Sequence, residues 1–175
     1  MLAYRDGDAA AFAELYQRHR GGLYRFVLRQ CRDRARADEL FQDIWMNVIA
    51  ARSRYMPSAK FSTFLYLCAR NRLIDHFRAK GRNLEESDDP DDPLDPPAPA
   101  AAQPDQALER RQRAARLLAA IEALPASQRE AFLLHEEGEL TLEEIAKITG
   151  VGRETVKSRL RYALSRLRAH LEEAL

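Results

Sequence analysis

From Gly152 to His170 the chain carries six Lys or Arg residues and one acid. Those residue types suit duplex DNA, because Arg and Lys donate to guanine edges and Glu accepts from the cytosine amino group. On a helical wheel Val156, Leu160 and Leu167 point one way, while Glu154, Ser158, Arg161 and Tyr162 point the other, with Thr155 and Lys157 beside them. The second set can reach base edges. Arg153, Arg159, Arg166 and Arg168 flank it, where phosphate contacts belong. A basic amphipathic surface helix without a ligand has the same composition. The punctuation upstream favours the DNA reading. Thr141 and Glu144 form a capping box, a short helix follows to Ile148, Gly150 breaks it, and the basic helix opens near Arg153. This is the pattern of a helix-turn-helix, whose second helix enters the major groove. Ala146 is small where the two helices must approach, and Val151 can fill the space beneath the turn.

Two further groups lie in the first half. The stretch from Arg54 to Arg82 mixes bases with aromatics: Lys60, Arg70, Arg72, Arg78 and Lys80 with Tyr55, Phe61, Phe64, Tyr66 and Phe77. Such a mixture suits single-stranded nucleic acid, where bases stack and phosphates need neutralising. The aromatics equally suit a core. Asn71, Asp75 and Arg78 share one helical stripe. Upstream, Glu39, Gln42 and Asp43, with Asp38 adjacent, face away from Leu40, Ile44 and Val48. An acidic spot in a basic unit is either a solvated face or a docking face for a basic protein, since acids repel DNA.

Helices must position all of these. No alternating strand run and no two-residue hairpin signal occurs. The first helix starts after Asp8, a good N-cap, with Phe12, Leu15, Tyr16, His19, Leu23, Phe26 and Val27 recurring at three and four. Others are expected near 36–52 and 62–80. In the second half, Leu108, Arg111, Ala115, Leu118 and Ile121 mark a helix stopped by Pro125. Ser127 and Glu130 read as a second capping box, opening a helix through Leu134. The last helix is expected to bury Val156, Leu160, Ala163, Leu164, Leu167 and Leu171.

Charge is partitioned along the chain. Residues 1–82 have a net charge of +8, residues 83–108 of −8 and residues 109–175 of +1. Six of the eight prolines and the acids Glu85, Glu86, Asp88, Asp89, Asp91, Asp92 and Asp95 fall between Asn83 and Ala107. With almost no large apolar residue, that stretch cannot offset its ordering entropy by burial. It is expected to be an extended flexible linker, either simply solvated or acting as a DNA mimic in a basic groove. The fold class is therefore all-α: two small helical domains, 1–82 and 108–175, joined by an acidic Pro-rich linker over 83–107, the second containing the helix-turn-helix.

Cys31 and Cys68 lack partners at metal-ligand spacing and read as buried thiols. His19, His76, His135 and His170 are scattered. No metal, cofactor, disulfide, catalytic residue or small-molecule substrate is expected. No apolar run reaches the ~18 residues of a membrane span, and the opening MLAYRDGDAAAF does not look like a secretory signal, so a cytoplasmic protein is expected.

The order of parts resembles the small extracytoplasmic-function (group 4) sigma factors of the sigma-70 family. A-D-E-L-F-Q-D-I-W resembles that family's core-polymerase-binding helix, which implies that Asp38, Glu39, Gln42 and Asp43 dock on the largest catalytic subunit. F-S-T-F-L-x-x-x-A-R-N-x-x-I-D-x-x-R resembles its promoter-melting helix, which implies −10 contacts by Lys60, Phe61, Arg70, Asn71, Arg72, Asp75 and Arg78. The family often has Trp where Phe64 stands. L-P-x-x-x-R-E-x-F-L-L, then T-L-E-E-I-A and T-V-K-S-R-L-R-Y-A-L-S-R-L, resemble its −35 reading domain. That implies −35 contacts by Arg153, Glu154, Thr155, Lys157, Ser158, Arg159, Arg161, Tyr162 and Arg166.

The resemblance implies a non-enzymatic alternative sigma factor. It would bind core RNA polymerase, read duplex −35 and single-stranded −10 promoter DNA, and be held inactive by an anti-sigma factor. A helix-turn-helix regulator acting without polymerase is the main rival; it would bind duplex DNA tightly alone. An enzyme such as a recombinase would need clustered carboxylates or a nucleophile with a base.

Overall fold

The computed structural model describes residues 1–81 and 106–172, and side chains within 1–81 and 111–171. The linker expected over 83–107 lies outside the described residues except for its last two, which are helical. The described elements are helices in this order: α1 (Leu2–Arg5), α2 (Ala9–Cys31), α3 (Arg34–Ala50), a 3-10 turn (Arg52–Arg54), α4 (Phe61–Ala79), α5 (Gln106–Glu122), α6 (Ala126–Glu136), α7 (Leu142–Thr149) and α8 (Arg153–Glu172).

Local chemistry sets the boundaries in the first half. The Asp8 carboxylate accepts from the backbone N–H groups of Ala10 (2.9 Å) and Ala11 (3.3 Å), which supplies partners to donors that α2 leaves free. At the other end Arg32 adopts the left-handed conformation (φ 55°), and its N–H closes on the Leu28 carbonyl at 2.8 Å. Asp33 follows at once as the N-cap of α3, accepting from Arg36 N–H at 3.1 Å. Two residues thus turn the chain, and α3 folds back on α2. The short helix α1 has no counterpart in the sequence expectations; Tyr4 carries the Arg52 guanidinium on its ring face (4.6 Å) and packs on Phe12.

The core of this half is Leu23, Phe26 and Val27 from α2, Leu40, Ile44, Trp45 and Val48 from α3, and Leu65, Tyr66, Ala69 and Leu73 from α4. The spacing of three and four puts each set on one side of its helix. Trp45, the neighbour of Ile44, is buried with this face.

In the second half, Pro125 stops α5, and Arg129 reaches back to its open end, donating to the Glu122 and Leu124 carbonyls at 3.0 Å each. The capping box expected at Ser127 and Glu130 does not form. Pro125 is the N-cap of α6 and no side chain caps it. Glu130 is buried and pairs with Arg70 instead, so tertiary contact has displaced a local one. The Thr141–Glu144 capping box is present. Gly150 closes α7 at φ 73°, a conformation glycine adopts without steric cost.

Helix α8 packs its Val156, Leu160, Ala163 and Leu167 against α5, α6 and α7. Leu164 and Leu171, expected on that face, are exposed, as is Leu118 of α5. An apolar face needs only as many leucines as its neighbours can cover. Ala146 of α7 and Val151 in the turn are partly buried against the core.

The two halves touch. α2 and α4 pack against α6 and α7, and the buried residues form one continuous cluster. Gly22 marks the closest approach. A Cβ there would stand 2.5 Å from the Glu137 carbonyl oxygen and 3.0 Å from the Tyr66 hydroxyl.

Candidate nucleic-acid interface

The outward side of α8 begins at the turn. Arg153, Glu154, Thr155, Lys157, Arg161, Tyr162 and Arg166 are exposed; Ser158 and Arg159 are half-buried. Arg153 is tied to Glu143 of α7 (2.5 Å) and to Glu154 (3.0 Å). Its guanidinium holds the Glu143 carboxyl below the usual range. Lys157 stands 3.6 Å from Glu154. The Arg161 guanidinium lies over the Tyr162 ring at 5.0 Å, with both side chains exposed on this face. Arg166 stands apart from this group. With Ala169 and His170 it borders a shallow groove against Ala120 of α5 and Ala123 and Leu124 just after it.

On α4, Asn71, Asp75 and Arg78 are exposed along one stripe, continued toward the N-terminus by Leu67. The remaining candidate side chains of this helix are engaged. Arg70 donates to Glu130 at 2.9 Å, and both side chains are largely buried. Arg72 grips Asp43 of α3 with two donors, at 2.9 and 2.6 Å. Lys60 lies 3.5 Å from Glu144, to which the Thr63 hydroxyl also donates at 3.1 Å. Burial pushes the Glu144 carboxyl up, but hydrogen bonds from Thr141 and Thr63 and the Lys60 charge outweigh it and hold the group below the usual range.

The aromatics divide. Tyr55 and Tyr66 are buried, and the Tyr66 hydroxyl donates to the Glu137 carbonyl at 2.6 Å. Burial raises the Tyr66 phenol well above its ordinary value. Phe61, Phe64 and Phe77 are half-buried against the core, Phe61 with its ring 5.2 Å from His19. Tyr55 and Tyr66 are therefore core residues rather than stacking platforms.

On α3, Asp38, Glu39 and Gln42 are exposed and Asp43 is half-exposed. Glu39 pairs with Arg36 at 2.7 Å, and Asp38 accepts from the Tyr24 hydroxyl at 2.7 Å. Sequence reasoning missed the continuation of this stripe. Met46 (62% exposed) and Ile49 (37%) follow Glu39 and Gln42 at helical spacing, so the acidic face runs on into an apolar one. The signal was the same three-and-four periodicity, read on the outer side of the helix. Burial pushes the thiols of Cys31 and Cys68, both half-buried, above the usual value.

A helical unit with an acidic outer face, packed on a helix-turn-helix unit, defines a DNA-binding transcription protein. Residues 15–83 match the family model for sigma-70 region 2, and residues 114–167 match that for sigma-70 region 4. The chain is 37% identical to the ECF RNA polymerase sigma factor RpoE of Cereibacter sphaeroides, over 98% of this chain and 92% of that one. It is 30% identical to the RNA polymerase sigma factor CarQ of Myxococcus xanthus, over 99% and 96%. It is similar in structure to the sigma factor RpoE of Bartonella quintana, solved in complex with the anti-sigma factor NepR (TM-score 0.69, 25% identity, 93% and 97% covered). CnrH, solved with the cytosolic domain of CnrY, shares the fold (TM-score 0.67, 20% identity, 97% and 92% covered).

The chain belongs to the extracytoplasmic-function class of the sigma-70 family. It is an alternative sigma factor, a DNA-binding subunit that directs core RNA polymerase to its promoters.

Proposed function

We propose that residues 1–82 act as region 2 and residues 108–175 as region 4, with 83–107 as the tether between them. In this reading Asp38, Glu39, Gln42 and Asp43 of α3 dock on core polymerase. Arg153, Glu154, Thr155, Lys157, Ser158, Arg159, Arg161, Tyr162 and Arg166 of α8 contact the duplex −35 element. Asn71, Asp75 and Arg78, with Lys60, Phe61, Arg70 and Arg72, take the −10 strand once it is unstacked. Extruding bases costs a few kcal/mol per step, which pocket contacts must offset.

The exposed face of α8 is the observation that carries the reading. It presents the Arg161 guanidinium, lying over Tyr162, to solvent, while Val156, Leu160 and Ala163 of the same helix are buried. The protein works by binding alone and not as an enzyme. Among the described residues no helix is long and apolar enough to cross a membrane, which agrees with a cytoplasmic site of action. An anti-sigma factor is the natural antagonist, since the similar Bartonella quintana protein was solved with one.

Run-off transcription with core polymerase on a panel of genomic promoters tests the reading. Promoter-specific transcripts that need this chain are expected. A chain that binds duplex DNA tightly without polymerase and yields no transcripts is instead a free-standing regulator.

A further inference from the structure

A chain of four alternating charges crosses from α7 to the start of α8. Glu143 of α7 accepts from Arg153 Nε at 2.5 Å. The same guanidinium reaches Glu154 Oε1 through Nη1 at 3.0 Å, and Lys157 Nζ stands 3.6 Å from Glu154 Oε2. Each oxygen of the Glu154 carboxylate thus faces a cation, and Arg153 is shared between two carboxylates. Two acids and two bases cancel, so this end of the face is neutral. Glu154 is the one acid among six Lys or Arg between Gly152 and His170.

An acid on a face that meets DNA is repelled by the phosphates unless a base edge donates to it. Cytosine presents an amino donor to the major groove; adenine sets its amino group beside the N7 acceptor, which an amide matches better than a carboxylate does. Glu143 and Glu154 both lie in the first turn of their helices, where the helix dipole favours acids. The dipole accounts for each acid alone. It does not account for the guanidinium that joins them across the turn. Exposed ion pairs stabilise little. A side chain already held in place, however, loses less freedom when it binds. The anchor is firm, because the Thr141–Glu144 capping box and the left-handed Gly150 set where α7 begins and ends. Glu143 therefore enters the chain of charges from a fixed helix, and Arg153 relays that position to Glu154.

We propose that Glu143 is a positioning residue for base reading: through Arg153 it holds the Glu154 carboxylate ready to accept from a cytosine amino group in the −35 element. This rests on the assignment of α8 to −35 DNA, and within that assignment it moves Arg153 from phosphate contact to the support of Glu154. Both carboxylate oxygens keep a free lone pair for the cytosine, since each accepts from one cation and can accept twice.

The full chain, assembled with core polymerase, is titrated against a library of duplex −35 variants. All four side chains are more than half exposed, so the fold tolerates their replacement. Glu154→Ala is expected to lose about tenfold of preference for cytosine at one −35 position. Glu143→Gln keeps the shape of the side chain but removes the charge that holds Arg153. It should lose about threefold at the same position, and nothing further when added to Glu154→Ala. Arg153→Ala should lose preference there as well, whereas loss of a phosphate contact weakens every sequence alike. A Glu143→Gln chain that keeps the full preference, or shifts it equally in the Glu154→Ala background, overturns the positioning role. So does an Arg153→Ala chain that binds all sequences more weakly with its preference intact. Arg161→Ala on the same library separates this failure from that of the underlying reading. If it relaxes preference at a position of its own while the Glu143 and Glu154 variants do not, α8 reads the −35 element and only the role of Glu143 falls. If none of these variants changes binding to any sequence, the assignment of α8 falls with it.

Discussion

Arg129 holds the second half together at one point. It is 3% exposed, and burial first, then the nearby charge of Arg32, lowers its guanidinium to about 10. A buried cation is kept there because it bonds the Leu124 carbonyl and shares the Glu122 carbonyl at the end of α5 with Arg32. Arg129→Ala should cost about 2–3 kcal/mol, from the Leu124 carbonyl left without its side-chain donor plus a lost side chain, read as a lower denaturant midpoint. Gln30 is the opposite case: it is 3% exposed, and neither amide atom has a partner among the described residues. Gln30→Met keeps the volume and removes the stranded amide, so a gain of about 1 kcal/mol is expected in the same assay. His19 gives a pH signature. Burial and then Arg18 lower its pKa, against a smaller pull from Glu139. The unfolded chain therefore takes up the proton first, and stability is full above the ordinary His value and falls as pH drops below it. Between about pH 7 and 5.5 the loss stays under ~1.4 kcal/mol per unit, and His19→Gln should flatten it.

The helix-turn-helix depends on two short-range devices, the Thr141–Glu144 box and the left-handed Gly150. Thr141→Ala should cost about 1 kcal/mol. Gly150→Val should cost more, because a β-branched residue is strained at φ 73°, whereas Asn should be tolerated. On α8 the positions of two arginines predict different phenotypes. Arg161 occupies the middle of the exposed face, and Arg161→Ala should relax base preference at one −35 position by about 1–3 kcal/mol. Arg166 lies toward α5, so Arg166→Ala should weaken all promoters alike and reduce the salt slope by about one unit. Holoenzyme binding to a library of −35 variants at several salt concentrations distinguishes them. If Arg166→Ala shifts base preference and Arg161→Ala does not, the groove-facing side of α8 has been drawn wrongly. On α3, Glu39→Lys is a cleaner probe of polymerase docking than Asp43→Lys. Glu39 forms its ion pair with Arg36 of its own helix, while Asp43 braces Arg72 of α4. Glu39→Lys should abolish co-purification with core polymerase while stability stays within about 0.5 kcal/mol of the parent.

At the scale of the whole molecule, the contact between halves is mixed. Ion pairs at Arg25–Glu137 and Arg70–Glu130 surround a continuous apolar cluster. Contacts of this kind usually persist because the chain keeps both partners at high effective concentration. A protease site inserted after Asp95 gives the test. Once cut, the two halves should stay together at high concentration and separate on size-exclusion chromatography when diluted toward the micromolar range. Co-elution of the cut halves at every dilution would show an interface strong enough to stand without the tether.

Much of this protein is decided within single helices, and that part is legible in the sequence. Caps at Asp8 and Thr141, the break at Gly150 and the three-and-four spacing of core residues depend on neighbours a few positions away. They fix where α2, α3, α7 and α8 begin or end and which side of each is apolar. The outer faces of α3 and α8 follow, because an exposed residue is simply one opposite a buried one. Choices among equivalent local options required the tertiary structure. Glu130 could cap α6 and instead binds Arg70, because a charge-assisted pair across a buried interface outweighs an exposed cap. Leu164, Leu171 and Leu118 share their helices' apolar spacing but find no helix above them. Tyr55 and Tyr66 sit among bases in the sequence and in the core in space. Only the docking of α6 and α7 onto α2 and α4 explains why Gly22 lacks a side chain and why Lys60 and Arg70 are already paired. Those contacts join residues sixty or more positions apart, a distance over which neither periodicity nor capping carries information.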